Sequence, residues 1–340
     1  MAQATSAQVS WADQTNACLL GRELLVWLMV TKVISLVCVI FALDACAAKL
    51  QVEVLVSGLT KPNNVACGGG KIFWADRDAR KIQRANLDGS DIEDVFDVDF
   101  DVRAVAVDNG GVFWPVPRAQ KIQRANLDGS SVDDALTNTG PIKGILKLAF
   151  GRFYWLDDDQ LRIVSADVNG GDMRDTARGA NPCHIDVGGN RVFWTEWGVR
   201  SAVLHGGRVT GLVATPNTHG YGIAVDSNEG KVYWVYKACQ VCQSTGPHRL
   251  ARANFDGTKV EDIAEFATDQ SPYGMALCGS SLIIADKKGA ILSVSLPENY
   301  NGTGEFAEVI GKGEFSSRTV IPVPAALAKF MVLLTAASLV

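Results

Sequence analysis

Lys81-Ile82-Gln83-Arg84-Ala85-Asn86-Leu87-Asp88-Gly89-Ser90 recurs without a single change at residues 121–130, forty positions later. Self-similarity at a period of 20–50 residues marks a solenoid, a propeller or an array. Around this decapeptide an aromatic–Trp pair recurs as Phe73-Trp74, Phe113-Trp114, Tyr154-Trp155, Phe193-Trp194 and Tyr233-Trp234, with tryptophan spacings of 40, 41, 39 and 40. A sixth copy, Leu282-Ile283-Ile284-Ala285-Asp286, carries aliphatic residues instead and follows an insertion near residues 239–248.

Each unit reads as four short strands. An apolar run such as Val105-Ala106-Val107 comes first, and a Gly/Asn/Asp turn leads to the strand with the aromatic pair. The third strand carries Ile-x-Arg-Ala-Asn and ends at Asp-Gly, a hairpin signal. The fourth is an acidic–apolar run such as Ile92-Glu93-Asp94-Val95-Phe96. Six such units predict an all-β, six-bladed β-propeller of four-stranded antiparallel blades. Successive strand residues point to opposite faces, and both faces of a blade are buried by its neighbours. Phe73 and Trp74 are therefore expected to fill different seams. Residues 51–56 and 305–310 both read as strands; one of them is expected to close the last blade, with the other a candidate fifth strand. Cys67 and Cys278 hold similar positions in the first and last units, so a ring-closing disulfide is one expectation.

Phe193-Trp194-Thr195-Glu196-Trp197-Gly198 resembles the YWTDWG signature of LDL-receptor class B (YWTD) repeats, with near matches at Phe73-Trp74-Ala75-Asp76 and Tyr154-Trp155-Leu156-Asp157. The run from Ile82 to Gly89 is similar to that family's third-strand motif, and residues 250–257 repeat it. The resemblance covers about residues 50–310 and implies a six-bladed extracellular ligand-binding platform. The second and fifth units depart from it, reading Trp114-Pro115 and Trp234-Val235 where the signature has Asp. No EGF-like or cysteine-rich ligand repeats follow, so receptor endocytosis is not implied.

The chain has 340 residues, 47% hydrophobic, with a formal net charge of −5. That supports a large core and offers no Lys/Arg stripe for nucleic acid. Three segments follow: a leader at residues 1–47, the propeller at 48–311, and a linker with an apolar tail at 312–340. Leu24 to Leu43 is an apolar run interrupted by Lys32. Started at Met29, it becomes a basic n-region and an 11-residue h-region, as in a signal peptide; a retained signal anchor is the alternative. Leu43-Asp44-Ala45-Cys46 resembles a lipobox with Cys46 as lipid attachment point, and Ala45-Cys46-Ala47 also fits ordinary cleavage. The apolar tail fits a GPI-type signal, a sorting tail or a docked end. These features predict a secreted or surface-anchored protein, membrane-associated through one terminus and monomeric in its domain. Asn301-Gly302-Thr303 is a short glycosylation sequon.

Catalytic signatures are sparse. Six-bladed propellers also host calcium-dependent lactonases and esterases, but calcium needs six to eight oxygen ligands. The residues leading into the inner strands offer Asn63, Asn64, Arg103, Lys147, Cys183, His184, Tyr221 and Tyr273, with no carboxylate among them. His184 is the one candidate general base, against a structural turn role. Cys239-x-x-Cys242 lacks the second pair of a structural zinc site. Asp76, Asp157 and Glu196 occupy one repeat position in different blades and are expected to cap turns. Arg84, Arg124 and Arg252 are expected to be structural partners. No cofactor is expected. The expected function is non-catalytic binding of a protein or peptide ligand at one rim, through Asn64, Arg103, His184, Trp197, Tyr221 and Tyr273. A lactonase- or esterase-like hydrolase and a structural surface lipoprotein are the alternatives.

Overall fold

A computed structural model describes residues 49–297 apart from 109, 158, 179–180, 206–207, 215–217 and 239–245. The leader with Cys46, the Cys239/Cys242 pair, Asn301 and the apolar tail lie outside the described residues. All the described residues belong to the unit that ends at Glu305.

Six four-stranded antiparallel sheets form the ring, as the repeats predict. Their inner strands are Pro62–Gly68, Ala106–Val107, Leu146–Ala149, His184–Gly188, Thr218–Asp226 and Pro272–Cys278, in blades 1 to 6. Each inner strand packs against the next, and the sixth packs against the first. A 3-10 turn at Pro117–Ala119 is the helical segment of the described chain. The closure is resolved: the strand Glu53–Val56 pairs antiparallel with Ala290–Ser295 and is the outer strand of blade 6. The competing strand at 305–310 lies outside the described residues. Cys67 and Cys278 are disulfide-bonded across the same seam, 5.9 Å apart at Cα.

The aromatic pair divides between seams, following strand alternation. Phe73 packs with Val105, Val112 and Trp114 of blade 2, whereas Trp74 packs with Ala276, Cys278 and Ile283 of blade 6. The rule repeats around the ring: Tyr154 lies with Trp194, Phe193 with Trp234, and Tyr233 with Leu282 and Ile284. Each Trp thus faces the preceding blade and its aromatic neighbour faces the following one. The five indoles are at most 2% exposed.

The conserved decapeptide also has a backbone reason. Asn86 N–H donates to the Ser90 carbonyl at 2.8 Å, Gly89 N–H donates to the Asn86 carbonyl at 2.9 Å, and Ser90 N–H donates to Asp88 at 3.0 Å. Gly89 and Gly129 have φ of +83° and +85°, a region that favours glycine. A Cβ there would lie 2.5 Å from the Leu55 carbonyl oxygen and 2.4 Å from that of Val95. The Asp-Gly turn of one blade is therefore wedged against the outer strand of the blade before it. The third-strand arginines pair within their blades, as expected: Arg84 with Glu93, Arg124 with Asp133 and Arg252 with Glu261, each at 2.6 Å.

Candidate functional site

The loops before the inner strands and after the second strands meet at one end of the ring. The signature acids hold them there. Asp76 accepts from Thr60 and Lys61 N–H at 2.8 and 2.9 Å, and Asp286 accepts from Ser271 and Lys288 N–H at 2.8 and 2.9 Å. Asp157 accepts from Gln160 N–H and from Arg162. Asp76, Asp157 and Asp286 are 1–2% exposed. Turn capping is thus what these carboxylates do, and Glu196 instead pairs with Arg200 at 3.2 Å.

Between these loops lies a cavity of about 320 Å³. Four of the six rim residues named from the sequence line it: Arg103, His184, Trp197 and Tyr273. Asn64 does not; its side chain accepts from Val105 N–H of blade 2 at 3.1 Å, and Asn63 lines the cavity instead. A bulge at the start of the inner strand, between Pro62 and Asn64, changes which of the two faces inward. Tyr221 stands behind the wall, with its ring 6.0 Å from Tyr273 and 5.2 Å from His248. Its role is to pack the wall rather than to line the opening.

Arg77, which shares the repeat position of Trp197, also lines the cavity, as do Lys143 and Lys287, which sequence reasoning missed. Arg77, Trp197 and Lys287 occupy one repeat position, immediately after the signature acid. Carrying the Arg77–Trp197 equivalence into the sixth unit would have found Lys287. Lys287 Nζ sits 2.9 Å from the centre of the Tyr273 ring, a cation–π contact. Burial lowers its pKa to about 8, helped by the charges of Lys61, Arg77 and Arg103. Burial raises the Cys183 thiol and the Tyr273 phenol above their ordinary values. Trp197 is 68% exposed at the edge. Deeper in the channel, Asp186 pairs with Lys147 at 2.6 Å and accepts from Val225 N–H at 2.9 Å, tying three inner strands together.

His184 is 7% exposed and packs edge-on to Tyr273 at 4.7 Å. Its Nδ1 has no hydrogen-bond partner, so the expected structural hydrogen bond is not made there. Burial, with a smaller push from Lys287, lowers its pKa to about 3, and burial lowers that of His248 to about 4. The native protein therefore binds fewer protons than the unfolded chain between those values and about 6.5, and stability falls as pH falls through that window. At pH 5 the buried imidazole of His184 alone should lower stability by about 2 kcal/mol relative to pH 7. Urea midpoints at the two pH values check this, and His184→Gln should make the decline shallower. An unchanged midpoint between pH 7 and 5 would contradict it.

The donor set does not fit a calcium ion, because the mouth gathers four cations, a neutral imidazole and one carboxylate. Among the described residues no three His, Cys, Asp or Glu side chains are grouped to hold a metal.

No family model matches the chain. Several solved structures share its fold. A gluconolactonase from Xanthomonas campestris aligns at a TM-score of 0.58 and 13% identity, over 75% of this chain and 92% of its own. A streptogramin B lyase aligns at 0.51 and 14% identity, over 74% and 99%. The virginiamycin B lyase of Staphylococcus aureus aligns at 0.51 and 18% identity, over 73% and 99%. At these identities the likeness extends to the propeller fold alone.

Proposed function

We propose that this propeller is a non-catalytic, extracytoplasmic platform of the YWTD type that binds a protein or peptide ligand at the mouth built around Arg103, His184, Trp197 and Tyr273. The observation that carries the reading is Trp197. It is a large aromatic side chain, 68% exposed, at the lip of a cavity, while five other indoles are buried in the seams. Trp, Tyr and Arg are the residues enriched at binding hot spots, and all three types meet here. The leader, with Cys46 as its attachment or cleavage point, supports export and a terminal membrane anchor for a monomeric ring.

Crosslinking capture at the surface of the source cell tests the proposal. Trp197→Ala should reduce capture of the partner at least tenfold, since a hot spot contributes about 2 kcal/mol or more. Its melting temperature should stay at the wild-type value, because the side chain is exposed. A folded variant that captures the partner as well as wild type would move the site elsewhere, with the 239–248 insertion as the next place to look.

A further inference from the structure

We infer that the mouth recognises a carboxylate, and that its ligand is an acidic peptide segment anchored by Lys287. This deepens the binding reading above and rests on it. Most cations near the ring already have partners. Lys147 is paired with Asp186, Arg77 lies 3.2 Å from Asp101, and Lys61 lies 3.4 Å from Asp78. Lys287 differs. Among the described residues its ammonium meets the Tyr273 ring and no carboxylate. Lys61, Arg77 and Arg103 act on it as like charges. The aromatic face holds the ammonium in place without neutralising it, so an incoming anion would supply Lys287 with the counter-charge that Arg77 and Lys61 already have. A partly enclosed site strengthens that attraction relative to open water.

Two further observations point to a ligand. His184 lines the same cavity, is 7% exposed, and leaves Nδ1 unpartnered. Buried polar atoms are nearly always satisfied, so an imidazole nitrogen without a protein partner in the cavity wall is a group that a small side-chain shift would offer to a ligand. A second cavity of about 600 Å³ shares Arg103, Lys143 and Gly144 with the first. There Phe100, Val116, Pro117 and Ile142 lie beside Arg80 and Arg118, and Asp99 and Asp101 line it as well. A lining of apolar side chains and charges of both signs suits a peptide rather than a compact anion.

Hexaglutamate titrated into the full chain by calorimetry, with hexaglutamine as the neutral control, tests the inference. Hexaglutamate should bind at pH 7, weaken as salt rises from 50 to 300 mM, and bind at least tenfold more tightly than hexaglutamine. Lys287→Met should weaken binding at least tenfold. The ammonium loses its charge as pH rises through about 8. Between pH 7 and 9, wild type should therefore lose about tenfold in affinity, while Lys287→Arg holds its affinity. Around Lys287, His184 stays neutral over this range, and burial holds the Cys183 and Tyr273 protons above their ordinary values. Failure of hexaglutamate to bind, equal binding of hexaglutamine, or full binding by a folded Lys287→Met overturns the inference. If Trp197→Ala abolishes partner capture while Lys287→Met leaves it intact, the platform stands and carboxylate recognition falls.

Discussion

Deleting residues 50–57 should leave a chain with no cooperative folding transition. Those residues supply Glu53–Val56, the outer strand of blade 6, and with it the link between the two ends of the ring. Val56 is 2% exposed in the seam core, and Leu50 N–H donates to the Ile263 carbonyl at 2.7 Å. Without them, Ala290–Ser295 becomes an unpaired edge and the Gly89 turn loses the carbonyl against which it is wedged. An open solenoid tolerates the loss of a terminal unit because each repeat contacts only its neighbours, whereas a closed ring depends on its last contact. Moving the same segment to follow residue 297 should restore folding, since the pairing is antiparallel and a short hairpin suffices. Urea titration followed by near-ultraviolet circular dichroism checks all three chains. A deleted chain with a wild-type transition would mean that the strand is ornamental.

Trp194→Ala should cost about 3–5 kcal/mol, the usual range for removing a fully buried Trp or Phe. The indole is completely buried between blades 3 and 4, against Tyr154, Ile163, Ala177 and Ala202. Phenylalanine at the same position should be far milder. The Trp194 indole N–H has no partner, so its removal relieves a desolvated donor while most of the ring area stays. Trp74 is the contrast, because its N–H donates to Gln83 at 2.9 Å. Trp74→Phe strands that amide oxygen and should cost more than Trp194→Phe. Equal costs for the two phenylalanine variants, measured by urea unfolding, would show that the indole hydrogen bond carries no weight.

The repeats were legible because they report backbone geometry and core packing. The Asp-Gly wedge demands glycine, and the seams demand two adjacent aromatics, so both survive as sequence signals. Cys67 and Cys278 could be paired by their matching repeat positions. The choice between the two closing strands could not be read, since each is a plausible edge and only the register with Ala290–Ser295 selects one. The mouth was harder still. Asn63 and Asn64 are adjacent identical residues, and the bulge beside them decides which one faces inward. Tyr221 and Tyr273 share the dipeptide Tyr-Gly, yet one packs the wall and the other lines the opening. Lys287 carries a weaker signal because its blade has aliphatic residues where the others have the aromatic pair that marks the position after the acid.

The closed seam also sets a clock for synthesis. The Asp-Gly turns at Gly129 and Gly257 grip the outer strands of blades 1 and 4, and each of blades 2 to 6 emerges from the ribosome with its preceding neighbour already made. Blade 1 is the exception. Its Gly89 turn rests on Leu55, and that strand waits for blade 6. Cys67 is translated 211 residues ahead of Cys278. At about 5–20 residues per second, roughly 10–40 s pass during which the first strand has no sheet to join and the first thiol has no partner. The nascent chain therefore spends that interval with a sticky edge and a reactive sulfur exposed. A holdase chaperone that shields unpaired strands should be needed most during that interval, and premature disulfides through Cys67 should be the characteristic misfolded product.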